Sequence, residues 1–307
     1  MKLSIVTTLY KSAPYVAEFH RRASAAARKI TDEYEIVMVD DGSPDDSLAI
    51  AIGLAEQDAR LRVVELSRNF GHHKALMTGM DHAEGDLVFL IDSDLEEQPE
   101  LLEQFYQELQ GGEWDVVYGY QARRSDRGVE GIAARLAWYF IRSLWSVEIP
   151  SNLCTMRLMR RNYVKALLLH RERNTVIAGL WVITGYKQHG LPIEKLRRDD
   201  TSYTLASRMA AFVEGITSFS TAPLRFMVFI GMLVSAAAFI FGIFVIFQKF
   251  IYGTAFGWAS VMVSVWFIGG VMIFCMGIIG TYISRIFIET KNRPYTIIRK
   301  IYAKEKR

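Results

Sequence analysis

The sequence predicts an α/β domain built on a mostly parallel sheet, followed by two membrane-crossing helices. Three observations lead there. Short apolar segments alternate with amphipathic ones through the first 200 residues, polar motifs fall at the ends of those apolar segments, and the composition changes abruptly near residue 225. Alternating strands and helices imply a sheet covered on both faces, and such sheets bind ligands beyond the C-terminal ends of their strands.

The elements follow in order. Leu3 to Leu9 reads as a short apolar strand, and Ser12-Ala13-Pro14 opens a helix with proline in the first turn, where its missing N–H costs nothing. Tyr34 to Val39 is a second strand, and Ser43-Pro44-Asp45-Asp46 a helix start with serine as N-cap and an acid three residues on. Leu61 to Leu66, Leu87 to Ile91 and Val116 to Tyr118 are further strands, with helices over His72 to His82 and Pro99 to Leu109.

From Phe226 to Phe247 no residue is charged, a stretch of ~33 Å as a helix and enough to cross a bilayer core. A second uncharged stretch runs from Phe256 to Ser284, and the link between them carries one charge, Lys249. Arg208 and Arg225 precede the first span; Arg285, Lys291, Arg293, Arg299 and Lys300 follow the second. The positive-inside rule then puts both termini and the N-terminal domain in the cytoplasm. Leu205 to Thr221 mixes apolar residues with Arg208 and Glu214 and reads as an interfacial amphipathic helix. The division expected is a catalytic domain over 1–203, an interfacial helix over 204–225, a two-helix anchor over 226–284 and a basic cytoplasmic tail over 285–307.

Composition excludes some classes. Hydrophobic residues make up 51% of the 307, which favours membrane segments over a wholly water-soluble chain. A net charge of +3 without a zinc-finger or RNP-type motif argues against nucleic acid as a partner. Cys154 and Cys275 are too few and too far apart for a disulfide framework or a cysteine metal site. Met1 to Leu9 is too short for a cleavable signal peptide.

Four motifs carry chemistry. In Val39-Asp40-Asp41-Gly42-Ser43, two carboxylates at a strand end suit hydrogen bonds to a base and ribose; a capped turn with solvated acids is the alternative. In Ile91-Asp92-Ser93-Asp94-Leu95-Glu96-Glu97, aspartates two apart offer hard oxygens to Mg²⁺ or Mn²⁺ bridging a diphosphate; the alternative is an acidic helix start favoured by the dipole. In Ser67-Arg68-Asn69-Phe70-Gly71-His72-His73-Lys74, Arg68 and Lys74 can face phosphates while Ser67 and Asn69 give neutral hydrogen bonds; the adjacent histidines read as ordinary ones. Arginines 123, 124, 127, 135, 157, 160, 161, 197 and 198 form a cationic set. Of these, Arg123, Arg124 and Arg157 are the candidates to grip a lipid phosphate, for which guanidinium is suited.

Taken together these stretches, with Val117-Tyr118-Gly119, Met156-Arg157-Leu158-Met159, Phe219 to Arg225 and Glu289 to Tyr295, resemble family 2 glycosyltransferases of the GT-A (Rossmann-like) fold. The chain looks most like the polyprenyl-phosphate branch, with the dolichol-phosphate mannose synthases and bactoprenol glucosyltransferases. The resemblance implies inverting transfer from a nucleotide-sugar, a UDP-hexose favoured, to polyprenyl phosphate, with Mg²⁺ or Mn²⁺ as cofactor. It implies that Thr8, Tyr10, Asp40, Asp41 and Arg68 line the nucleotide pocket beside Ser67, Asn69 and Asp92. It implies that Asp92, Asp94 and Glu96 surround the metal, Glu96 standing where relatives usually carry glutamine. Catalysis is assigned to Asp94, Arg123, Arg157 and Thr155, and the acceptor phosphate to Arg123, Arg124, Arg157 and Arg198. A homo-oligomer and a downstream flippase are implied by the family alone.

Two departures stand out. Thr155 occupies the place where relatives often carry aspartate, and Thr201-Ser202-Tyr203 the place of Ser-Lys-Tyr, so one cation of the acceptor site is either missing or replaced by Arg197 or Arg198. Transfer to another lipid or glycan acceptor, or an inactive membrane scaffold or flippase-associated subunit, are the other readings.

Overall fold

A computed structural model describes residues 1–121, 150, 152–173, 177–195, 220–252 and 257–304. The chain divides into two units. One holds residues 1–128, 147–202 and 293–307; the other holds 129–146 and 203–292.

The first unit is an eight-stranded mixed sheet. Its strands are β1 (Leu3–Leu9), β2 (Tyr34–Asp40), β3 (Leu61–Leu66), β4 (Leu87–Leu90), β5 (Val116–Gln121), β6 (Leu153–Arg160), β7 (Gln188–Ile193) and β8 (Ile298–Ala303), in the order β7-β5-β6-β4-β1-β2-β3-β8. β4, β1, β2 and β3 are parallel. β6 runs antiparallel to both β4 and β5, and β8 antiparallel to β3. All seven residues of β1 and of β2 are buried, as continuous apolar strands covered on both faces should be.

Helices α1 (Val16–Arg28), α2 (Ser47–Gln57) and α4 (Leu102–Gly111) cover one face, where Phe19, Ala51 and Phe105 join Ile5, Ile36 and Phe89 in the core. α3 (His72–Asp81) lies on β1 and β2. Its Gly79 permits this approach, since a Cβ there would meet Val6 Cγ1 at 2.5 Å and Val39 Cγ2 at 3.0 Å. α5 (Arg161–Leu167) and α6 (Ile177–Ile183) complete the unit.

Two helix starts differ from expectation. α1 begins at Val16, after a turn closed by Tyr15 N–H to Ser12 O at 2.8 Å. Ser12 is unavailable as a cap because its hydroxyl bonds Tyr10 O and Ser93 Oγ. α2 begins at Ser47 rather than Ser43. Asp45 takes over the capping, accepting from Ser47 N, Ser47 Oγ, Ser43 Oγ and Ala13 N. These bonds overcome the opposing effect of burial and hold its carboxyl down at about 2.

The second unit contains α7 (Ala222–Tyr252) and α8 (Trp258–Thr290). Both are long and apolar enough to cross a membrane, with mean hydropathy 2.6 over Ala222–Gln248 and 2.3 over Val261–Thr290. Large apolar side chains stay exposed along them, Phe239 at 71% and Trp266 at 76%. The expected interfacial helix lies almost wholly outside the described residues. The stretch read as a basic tail instead starts with the last turn of α8 and ends in β8.

Candidate active site

The strand order reverses direction at β1, whose neighbours are β2 on one side and β4 on the other. A crevice between the C-terminal ends of β1 and β4 is where such a sheet takes its ligand. Three polar loops meet there: residues after β1, the Asp40-Asp41 end of β2, and the acidic loop after β4.

The acidic loop is tightly held. Ser93 Oγ donates to Thr8 O at 2.8 Å, which ties the loop to β1. Asp94 Oδ1 accepts Glu96 N–H at 3.0 Å. Leu95 sits at φ +63, a left-handed conformation costly for leucine and a mark of a loop whose surroundings dictate its shape. Asp92 Oδ1 is buried without a hydrogen bond, and His72 Nε2 approaches it at 3.5 Å. Burial pushes the Asp92 carboxyl up and the charge of Asp94 adds to it, while the neighbouring Thr155 pulls it back. Thr155 thus reaches the first aspartate of the motif from β6.

The site does not contain the three-carboxylate cluster expected from Asp92, Asp94 and Glu96: among the described residues no group of three or more potential ligands converges on one point. Two half-buried aspartates, one with an unbonded oxygen, still suit a divalent cation. Mg²⁺ is typically held by one or two carboxylates, with substrate phosphates and water completing its shell. The residues fit that arrangement better than an all-protein cage.

Asp40 and Asp41, alike in sequence, differ in role. Asp41 is 2% exposed and both its oxygens are used, accepting Phe70 N–H at 2.7 Å and Gly71 N–H at 3.0 Å. It fixes the loop from Ser67 to Lys74. Asp40 keeps Oδ1 unbonded, and burial raises its carboxyl to about 6 against backbone hydrogen bonds from Ser43 and Gly42. Between the two loops, Gly42 has φ +64, and a Cβ there would stand 2.5 Å from Asn69 N, so no other residue fits without displacement.

Arg68 and Asn69 project from this loop, the guanidinium stacked on Phe70 at 4.1 Å, and Tyr10 is 48% exposed at the end of β1. His72, read from sequence as an ordinary histidine, bridges Thr8 Oγ1 at 3.0 Å and approaches Asp92. Burial lowers its pKa, opposed by the charges of Asp41, Asp94 and Glu97. Lys74, expected to face phosphate, lies over the Tyr295 ring at 5.8 Å.

The acceptor side differs from the sequence expectation. Arg157 is 1% exposed, donates to Thr155 O and Cys154 O, and packs against Trp181. Burial lowers its pKa to about 9. In this conformation it presents no guanidinium nitrogen to a lipid phosphate. Arg123, Arg124 and Arg198 lie outside the described residues. Sequence reasoning missed Glu97, which is fully buried and faces Lys195 Nζ at 2.8 Å, an ion-pair contact whose angles fall short of a hydrogen bond. The run of acids from Asp92 pointed to Glu97, but nothing local pointed to Lys195.

Comparisons with known proteins show the family. The sequence profile described as Glycosyl transferase family 2 matches residues 4–168. A Mycobacterium tuberculosis relative described among the glycosyltransferases is 49% identical over 99% of this chain and 90% of its own length. The prophage bactoprenol glucosyl transferase homolog of Escherichia coli is 34% identical, covering 98% of this chain and 99% of that protein. The SfII prophage-derived bactoprenol glucosyl transferase of Shigella flexneri is 33% identical, with 98% of each covered. Staphylococcus aureus TarS 1-349 in complex with UDP-GlcNAc superposes with a TM-score of 0.45 and 20% identity, over 71% of this chain and 66% of that one. On the profile match and the full-length relatives, this chain belongs to glycosyl transferase family 2.

Proposed function

We propose that this protein transfers a hexose from a UDP-sugar to a polyprenyl phosphate at the cytoplasmic face of a bacterial inner membrane, with inversion at the anomeric carbon. The observation that carries the reading is the pair Asp92 and Asp94 at the β1–β4 crevice, half-buried, with one carboxylate oxygen left unbonded. The names of the full-length Escherichia coli and Shigella relatives, bactoprenol glucosyl transferases, support the acceptor class. The two long apolar helices and the basic residues that flank them support a membrane-borne acceptor and a cytoplasmic domain.

Each residue then has a task. The exposed Tyr10 ring offers a stacking face to the base, and Asp40 Oδ1 an acceptor to its N–H or to a ribose hydroxyl. Arg68 and Asn69 lie on the loop beside the diphosphate. Asp92 and Asp94 would hold a divalent cation, which would supply Lewis-acid stabilisation to a departing diphosphate. Thr155, beside Asp92 on β6, favours the ionised form of its carboxylate.

No catalytic base is required. A phosphate monoester has its second pKa near ~6, so the acceptor is largely ionised at pH 7. Its oxygen attacks the anomeric carbon, a C–O bond forms, and the bond to the nucleoside diphosphate breaks on the opposite face. That accounts for threonine at position 155, where positioning and charge stabilisation carry the catalysis.

The test is direct. Full-length protein in detergent with labelled UDP-glucose, Mn²⁺ and undecaprenyl phosphate should yield a chloroform-soluble sugar lipid. No lipid product across a panel of UDP-, dTDP- and GDP-sugars contradicts the reading.

A further inference from the structure

The segment from Ser67 to Lys74, a loop over Ser67 to Gly71 and the first turn of α3, carries Arg68, Asn69 and His72 to the crevice, and Asp41 holds it at Phe70 and Gly71. It is also held from the opposite side by the segment that follows α8 in the chain. Ile297 O accepts Ser67 N–H at 2.8 Å, at the start of the loop. Beyond the far end of the loop, Thr296 Oγ1 lies 2.9 Å from Thr78 Oγ1, and the Tyr295 ring lies under Lys74 Nζ. Residues farther along grip β3 instead: Arg299 Nη1 reaches Glu65 Oε1 at 3.0 Å, and Tyr302 OH reaches Glu65 Oε2 at 2.9 Å.

We infer that Tyr295, Thr296 and Ile297 form a positioning element for the donor loop, so that nucleotide affinity depends on a C-terminal segment that itself contributes no group to the acidic motif. The inference rests on the donor-site reading above. Its physical basis is division of labour between the three residues before β8 and β8 itself. The half of the segment nearer α8 touches the start of the loop at Ser67 and, past its end, α3 at Lys74 and Thr78, while the half nearer the C-terminus pairs with β3 from Leu66 back to Arg62. A loop pinned at its start, in the middle and just past its end loses little entropy when a ligand orders it, so removing the pins weakens binding without touching the ligand.

The experiment separates positioning from stability in the full-length chain. Thr296 borders an open surface cavity of about 360 Å³, so Thr296→Val removes a hydroxyl contact without crowding. Four forms are compared: wild type, Tyr295→Leu with Thr296→Val, Thr296→Ser, and Arg299→Ala. Hydrogen exchange is followed at the Phe70 and Gly71 amides, and UDP affinity is measured by calorimetry with Mn²⁺. The double variant should exchange those amides about tenfold faster and bind UDP about tenfold more weakly, the scale expected for two lost polar contacts. In turnover the loss should appear in donor KM, with kcat nearly kept. Thr296→Ser should behave as wild type, and Arg299→Ala should lower the unfolding midpoint while leaving UDP affinity unchanged.

Wild-type exchange and affinity in the double variant overturn the inference. So does an equal loss of affinity in Arg299→Ala, which reduces the segment to general stability. If the double variant does not fold, Thr296→Val alone carries both readouts with about a threefold effect. Absence of UDP binding by the wild type sinks the donor-site reading itself, whereas the amide comparison is read without nucleotide.

Discussion

In the parallel half of the sheet, acids stop at the ends of β2 and β4 with hydrogen-bonding capacity to spare: Asp40 Oδ1 and Asp92 Oδ1 have no partner. In the half built from β5, β6 and β7, charged groups are consumed by the protein. Arg157 is bonded to two carbonyls beneath Trp181, Arg160 reaches Trp114 O and Leu109 O, and Lys195 faces Glu97. Both halves carry the charged residue types that a sequence reading flags. Unmet capacity alone does not separate a binding group from a structural one, since Thr7 Oγ1, Tyr34 OH and Trp181 Nε1 are also buried without a hydrogen bond; what marks Asp40 and Asp92 is that their spare oxygens stand at the C-terminal strand ends, beside the crevice.

The contrast can be broken, and the largest effect lies at the acids. Asp94→Asn should cut turnover by about a thousandfold, the scale of losing a transition-state charge stabiliser, while the unfolding midpoint barely changes. Labelled sugar lipid formed at more than a tenth of the wild-type rate would place Asp94 with the structural charges.

Arg157→Ala should do the reverse. It leaves the Cys154 and Thr155 carbonyls unpaired and a cavity beneath Trp181, at a cost of about 3 kcal/mol in denaturant unfolding. A fully stable variant with a raised acceptor KM would return Arg157 to the lipid phosphate.

Gly42→Ala falls between the halves in character. The Cβ collides with Asn69 N at a backbone conformation unfavourable for alanine, a strain of about 1–3 kcal/mol. Because the collision displaces the donor loop, donor KM should rise with stability falling; an unchanged KM would detach the loop from binding.

The smallest effect is on pH dependence. Asp40 titrates near its ordinary 3.8 when unfolded and at about 6 when folded. Between those values the folded state binds more protons than the unfolded one, so this group makes stability fall as pH rises, with the loss complete above the folded value. Asp40→Asn should therefore flatten the fall between pH 4 and 6, raise the midpoint at pH 7 by a few degrees, and weaken donor binding. A midpoint at pH 7 equal to or below the wild type would show that Asp40 is already paid for by its surroundings.

Much of the parallel half was legible because apolar runs such as Leu3 to Leu9 and Tyr34 to Val39 are continuous and end in polar motifs. β7 and β8 were not. Gly190 and Pro192 interrupt β7, and β8 carries Arg299 and Lys300, the kind of charge that protects an edge strand and that reads locally as a basic tail. Within the site, the acidic motifs were legible and their division of labour was not. Asp41 looks like Asp40 until the loop amides of Phe70 and Gly71 reach it, and Glu97 finds Lys195 only through the fold. His72 became visible once β1 and β4 brought Thr8 and Asp92 to either side of its ring.

Calorimetric titration of the full-length protein with UDP, with and without Mn²⁺, tests the account most directly. Spare carboxylate capacity at Asp92 and Asp94 predicts affinity tightened at least about tenfold by Mn²⁺, with the gain abolished by Asp92→Asn. Equal affinity with and without the cation, or a gain that survives Asp92→Asn, would contradict it.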